Sequence, residues 1–209
     1  MKSKSCALIN IYAVVLLLMS VCFASGCDAT KLIQERSTIV KNKPPTIAED
    51  ATIFPIDWLG IWKGNLEIYN TGGKLQTVPM SLEIKTTRDT LQYDWLIQYS
   101  IGPNGDHRKY TLTVVNPEKG QYQIDEHNGI LLDASLINNE LVSIFKVLNN
   151  QLISTYKLEG NNLIFEIIIH EADPSKSTSD TLVNGEKVPL VQSYQPTLTQ
   201  KAVLTRFIP

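Results

Sequence analysis

Apolar and polar residues alternate along most of the chain beyond Trp58, which is the pattern of β-strands with one buried face. Turn residues, chiefly glycine, asparagine and aspartate, separate the alternating segments. No stretch repeats apolar residues at the spacing of a helix. The pattern predicts ten strands, near residues 58–69, 75–85, 90–101, 108–115, 121–126, 130–137, 140–148, 151–158, 162–170 and 199–208.

Short turns between successive strands favour an up-and-down meander, and closure of such a sheet removes its exposed edges. We therefore predict an all-β fold: a single antiparallel barrel of about ten strands over residues 54–209. The period of two predicts an apolar interior with polar tips from tyrosines. The aromatic residues expected to line a cavity are Tyr93, Trp95, Tyr99, Tyr110, Tyr122, Tyr156 and Phe165.

One connection is much longer than the others, at residues 171–198, and it is rich in serine, threonine, aspartate and proline. Within it, residues 181–188 predict a small hairpin around Asn184-Gly185. Connections of this length are usually functional lids or disordered inserts. Both alternatives stay open at this point.

The first 26 residues have the features of an export signal. Lys2 and Lys4 precede an apolar run from Ala7 to Met19, and small residues follow. That run is shorter than the roughly 20 residues that a membrane-spanning helix needs. The polar stretch from residue 28 to residue 53 predicts a flexible tether between the signal and the barrel.

The segment Phe23-Ala-Ser-Gly-Cys27 resembles the lipobox of bacterial lipoproteins, although the family usually has leucine where Ala24 stands. The resemblance implies cleavage before Cys27, acylation of that cysteine, and anchoring in a membrane of the cell envelope, outside the cytoplasm. Cys6 and Cys22 would leave with the signal, so Cys27 would be the one cysteine retained. An ordinary secretory signal with a chance cysteine is the alternative.

Charge argues against nucleic acid as a partner. Removing residues 1–26, which hold two lysines and no acid, leaves 17 basic residues against 21 acidic ones. No cluster of lysine or arginine interrupts this mildly acidic composition, which repels a phosphate backbone.

The stretch Leu59-Gly-Ile-Trp62-Lys-Gly64 resembles the Gly-x-Trp opening of calycin barrels, the group that holds lipocalins and fatty-acid-binding proteins. In lipocalins that tryptophan closes one barrel end beneath an arginine of the last strand. The resemblance implies a plug of Trp62 and Arg206, held by a cation–π contact. The domain also resembles a group of lipoproteins from Bacteroidota that carry stretches similar to 59–64 and 122–130.

The topology predicts that His107, His127 and His170 lie at the barrel end opposite this plug, where the long connection also emerges. Imidazoles beside carboxylates such as Asp106 and Asp125 would suit a metal ion, whereas polar turns explain the same residues without one. Haem would need a histidine inside the barrel, and alternation turns His170 outward. No metal, cofactor or catalytic residue is therefore predicted.

Two functions of different classes remain. An apolar interior with a few hydroxyls suits a small apolar or amphipathic ligand, and a ten-stranded barrel is wide enough to hold one. A barrel filled by its own side chains would instead be a structural or interaction lipoprotein with an envelope protein as partner. An enzyme with its site at the rim is a third alternative, which requires histidine and carboxylate side chains within hydrogen-bond reach.

Overall fold

The computed structural model describes residues 53–101, 105–178, 181–183 and 185–208, so Cys27, the export signal and the tether lie outside the described residues. All ten predicted strands are present, and they form one closed antiparallel barrel. Its strands are β1 Gly60–Asn70, β2 Gly73–Thr86, β3 Gln92–Tyr99, β4 Asp106–Asn116, β5 Gln121–Asp125, β6 Leu131–Ile137, β7 Glu140–Val147, β8 Asn150–Glu159, β9 Asn162–Glu171 and β14 Pro196–Phe207.

The predicted meander topology is confirmed. Each strand from β1 to β8 pairs with the next, and β14 closes the ring between β9 and β1. The closing register places Trp62 opposite Arg206 and Leu66 opposite Ala202. Because directly opposed residues of an antiparallel pair point to the same face, this register fixes which side chains of β14 enter the barrel.

The barrel has two chemically different ends. The plug end holds the start of β1 and the end of β14, and the mouth end holds the turns after β1, β3, β5 and β7 together with the connection from β9 to β14. The first strand begins two residues later than predicted, because Ile56–Trp58 form a single 3₁₀ turn that crosses the plug end. Gly120, in the left-handed region at φ 63°, ends a second such turn, Pro117–Lys119, before β5.

Inward positions form one continuous apolar core that begins at the plug end and extends past the middle of the barrel to Tyr99 and Ile167. Its fully buried side chains include Trp58, Trp62, Leu82, Leu163 and Leu204. Gly64 belongs to this wall for a steric reason: a Cβ on it would lie 2.3 Å from the carbonyl oxygen of Val203 on the neighbouring strand. The sequence Gly60-x-Trp62-x-Gly64 therefore brings β1 close to β14 at the plug.

The long connection carries short strands of its own, in agreement with the predicted hairpin. Strand β11 Thr181–Val183 pairs with β12 Glu186–Val188, and β10 Lys176–Thr178 pairs with β13 Val191–Ser193. Nearly every described residue of these four strands is exposed. Among the described residues no helix is of a length and apolarity that would cross a membrane.

Candidate functional site

The plug is built from the 3₁₀ turn, Trp62 and Arg206. The guanidinium of Arg206 lies 4.1 Å from the centre of the Trp62 ring and donates to the carbonyl oxygens of Leu59 and Asp57 at 2.5 and 2.7 Å. Trp62 Nε1 donates to the carbonyl oxygen of Trp58 at 2.8 Å. The structure thus brings together the two residues that the calycin resemblance implied. Their N–H groups donate hydrogen bonds to backbone carbonyls of the 3₁₀ turn and of Leu59, which follows it.

The seven predicted cavity residues all face the interior, but they divide into two levels. Tyr93 and Tyr122 stand at the plug end, where the Tyr122 ring meets Phe54 edge-on at 4.9 Å between centroids. These two tyrosines are part of the plug packing rather than of a site nearer the mouth. The other five, from the middle of the barrel toward the mouth end, are Trp95, Tyr99, Tyr110, Tyr156 and Phe165.

An aromatic layer crosses the middle of the barrel. Strands β3 and β8 stand five places apart in the ring of ten and so face each other, and Trp95 of β3 meets Tyr156 of β8 edge-on at 5.1 Å. Tyr156 stacks on Phe165 of β9 at 4.6 Å. Aromatic contacts of this geometry are favourable beyond the area they bury. The layer forms a floor that separates the plug half of the interior from the mouth half.

Polar side chains line one wall directly above this floor. In the ladder, Ala202, Phe165 and Tyr156 are direct partners, and the next inward row toward the mouth contains Gln200, Ile167, Ser154 and Ser143. Gln200 is only 1% exposed. Its amide nitrogen and its amide oxygen are both buried, and neither has a hydrogen-bond partner among the described residues.

The facing wall carries a charged pair that the sequence analysis did not expect inside the barrel. Arg108 and Asp106 are the direct partners of buried Ile97 and Tyr99, so they point inward. Their side chains are 17% exposed and form an ion pair at 2.8 Å, and the guanidinium lies 5.1 Å from the centre of the Tyr99 ring. The predicted interior, apolar with polar tips from tyrosines, did not include this charged pair in the mouth half.

Burial and this ion pair set the protonation of the cluster. Burial raises the pKa of Tyr99 to about 12, against the opposing charge of Arg108, and burial likewise raises the pKa of Tyr110 and of Tyr156. Burial acts to lower the pKa of Arg108, but the tyrosines and Asp106 outweigh it, so that pKa stands above its ordinary value. Near neutral pH the site therefore offers three neutral hydroxyls beside one charged pair.

The three histidines lie at the mouth end without forming one site. His107 is on the outer face, where its Nδ1 lies 3.0 Å from the Gln98 amide nitrogen. His127 contacts the Thr111 hydroxyl at 2.9 Å. His170 alternates with inward Ile169, and its ring is 4.9 Å from that of Tyr194.

No group of three histidine, cysteine or acidic side chains in the described part of the chain is arranged to hold a metal ion. One histidine does lie near a carboxylate, as a rim enzyme would require. His127 Nδ1 is 3.6 Å from an oxygen of Asp125, which is longer than a hydrogen bond. On the outside of the barrel, the His127 side chain is 52% exposed and the Asp125 side chain 40%.

Sequence reasoning missed Gln200 and Arg108, although their signal was present in the alternation. Gln200 occupies the same parity as Leu198, Ala202 and Leu204, all of which are buried. Arg108 occupies the same parity as Leu112. Gln200 lies two residues from inward Ala202, and Arg108 two residues from inward Tyr110, in each case toward the mouth. Extending the alternation by that one step would have predicted both polar side chains inside the barrel.

No protein-family model matches the sequence, and no curated protein matches it either. Among solved structures, the chain is similar to the S-type phycobiliprotein lyase CPES from Guillardia theta, with 8% identity, 72% of this chain and 89% of that chain covered, and a TM-score of 0.47. It is also similar to Rv2717c from M. tuberculosis, with 14% identity, coverage of 72% and 92%, and a TM-score of 0.43. A variant of the fluorescent protein UnaG matches with 13% identity, coverage of 73% and 97%, and a TM-score of 0.39.

Proposed function

We propose that the barrel binds a small amphipathic ligand in the mouth half of its interior, above the floor of Trp95, Tyr156 and Phe165. The observation that carries this proposal is the Gln200 carboxamide, which is buried with neither of its polar atoms satisfied by the described residues. Leaving a buried amide unpaired costs on the order of 1–3 kcal/mol. A bound molecule that reaches Gln200 would recover that cost.

The surroundings of Gln200 suit a ligand that is mainly apolar. Its row and the rows on either side present Ile167, Ile169 and Phe165 from the neighbouring strand. The Asp106–Arg108 pair and the tyrosine hydroxyls provide polar groups on the other side. A few fixed polar groups in a mostly apolar concave lining are typical of small-molecule sites. The proposal assigns no catalytic step and no cofactor to the barrel.

The test is native mass spectrometry of the protein purified, without detergent exchange, from the cells that produce it. We expect a discrete excess mass that is lost on denaturation, and we expect Gln200→Leu purified in parallel to carry less of it. Thr199→Val, which changes the adjacent outward position of the same strand, is the matched control and should keep the excess mass. An apo mass for the unaltered protein would contradict ligand binding.

A second candidate, an interaction role, is favoured by the hairpin of β11 and β12 and the segment that follows it. Leu182 is 75% exposed, and Val183, Leu190 and Val191 are also exposed. Apolar side chains concentrated on an exposed projection are typical of a contact surface for another protein. An apo mass together with capture of one envelope protein, lost on Leu182→Ser, would favour this candidate.

We also propose that the protein is held at a membrane of the cell envelope through acylated Cys27, on the basis of the lipobox resemblance. Conversion of Cys27 to serine should release the protein from the membrane fraction. If the Cys27→Ser protein stays in that fraction and its signal is cut at another position, the anchoring proposal is overturned.

A further inference from the structure

We infer that the ligand presents a neutral amide edge, an N–H donor next to a carbonyl acceptor, to the side chain of Gln200. This inference rests on the proposed function and gives it a ligand class: lactams, imides and primary amides. It follows from the chemistry of the one side chain whose donor and acceptor are both buried and unpartnered in the described structure.

A carboxamide has a particular complement. It offers an acceptor oxygen and a donor nitrogen side by side in one plane. An ether or a ketone, which can only accept, would satisfy the nitrogen and leave the oxygen buried without a partner, at nearly the full desolvation cost. A hydroxyl can donate and accept, but it reaches both atoms only through two bent, weaker hydrogen bonds. A ligand edge with its own donor beside its own acceptor satisfies both atoms in one pair of parallel hydrogen bonds.

The neighbours of Gln200 favour a neutral edge over a charged one. Its direct partners in the ladder are Ile68 and Ile167, and the row continues with Ser154 and Ser143. The Ser143 hydroxyl donates to the carbonyl oxygen of Asp133 at 2.7 Å. A carboxylate or ammonium group placed here would lose its hydration without gaining a counterion from this row.

Arg108 and Asp106, which point into the mouth half, form an ion pair with each other. Two nitrogens of Arg108 lie 3.0 and 2.8 Å from the same Asp106 oxygen, so the pair carries no net charge. An anionic ligand beside this pair would also meet the carboxylate of Asp106, whose negative charge repels it. A neutral ligand leaves the pair intact.

Two fluorescent probes of nearly equal size separate the amide edge from general apolar binding. 2-Quinolinone carries the N–H next to the carbonyl, and 1-methyl-2-quinolinone carries a methyl group in place of that hydrogen. Both are titrated into the full chain, into Gln200→Leu and into Thr199→Val, with the unfolding midpoint of each protein measured alongside. We expect the unaltered protein and Thr199→Val to bind 2-quinolinone at least tenfold more tightly than its methyl derivative.

We expect Gln200→Leu to remain folded and to lose this tenfold discrimination, because leucine has no polar atom to pair with the lactam. Equal binding of the two probes to the unaltered protein, or discrimination that survives in Gln200→Leu, would overturn the amide class while leaving ligand binding in place. Failure of both probes to bind the unaltered protein would also overturn it. The proposed function is tested separately, by whether native mass spectrometry of the purified protein shows a bound molecule.

Discussion

At the plug end Arg206 lies over a tryptophan and donates hydrogen bonds to two backbone carbonyls. At the mouth end Arg108 lies over a tyrosine and forms an ion pair with a carboxylate. Arg206 thereby fixes the entry of the chain into the barrel, through Asp57 and Leu59. Arg108 joins two positions on one strand, two residues apart. The same side-chain type therefore joins the turn before β1 to the last strand at one end, and at the other end it joins positions of β4 with Tyr99 of the adjacent strand β3.

The two ends also differ in what their inward rows contain. Below the aromatic layer these rows are dominated by large apolar side chains such as Trp62, Leu163 and Leu204. Above it, apolar side chains such as Ile167 and Ile169 share the inward rows with the polar side chains of Gln200, Arg108 and Asp106. The plug half therefore has the packing of a core that stabilises the fold, and the mouth half carries the polar groups on which the proposed function rests.

The largest effect is expected from Trp62→Ala at the plug. This change removes a fully buried indole, its hydrogen bond to Trp58 and the surface on which Arg206 rests. Truncation of a buried tryptophan should lower the free energy of unfolding by about 3–5 kcal/mol, measured by urea denaturation. Trp62→Phe keeps an aromatic surface and should lose clearly less; a loss below about 1 kcal/mol for Trp62→Ala would refute the role given to the plug.

A matched change of the two arginines tests the comparison itself. Arg206→Met should lower the free energy of unfolding by about 2 kcal/mol, because two backbone carbonyls lose a charged donor. The double change Asp106→Asn with Arg108→Met should alter it by less than about 1 kcal/mol, since replacing both members of a pair leaves no charge unpartnered. If urea denaturation showed equal losses for the two proteins, the ends would not differ as we describe.

The fold could be predicted from the sequence where the hydrophobicity of a residue shows which face of a strand it occupies. Apolar and polar residues alternate along β3 without a break, and the same period of two identifies the other strands. Closure was predicted from the short turns between strands and from the removal of exposed edges. The plug followed from the resemblance carried by Trp62 together with the parity of Arg206. These features depend on side chains whose hydrophobicity or family pattern identifies their face.

The site was harder to predict because polar residues at inward positions look like outward ones. Gln200 and Arg108 interrupt an apolar row just where that row approaches a turn, and loop residues are normally polar for reasons of solvation. For the histidines, the barrel end could be predicted but the face of the barrel wall could not. Topology placed them at one end correctly, but His107 and His127 lie outside the barrel, which a turn assignment alone does not reveal.

The last expected effect has the opposite sign, and it concerns the mouth half. Gln200→Leu should raise the free energy of unfolding of the ligand-free protein by about 1–2 kcal/mol, because it replaces a buried, unpartnered amide with an apolar group of similar size. The free energies of unfolding of Gln200→Leu and of the unaltered protein are compared by urea denaturation, after any bound molecule has been removed. Thr199→Val is the control, and its free energy of unfolding should change little. Under the proposed function, a bound ligand would satisfy this amide. A loss of stability in Gln200→Leu would instead show that the amide is already satisfied within the folded barrel, and the mouth half would then be packed for stability as the plug half is.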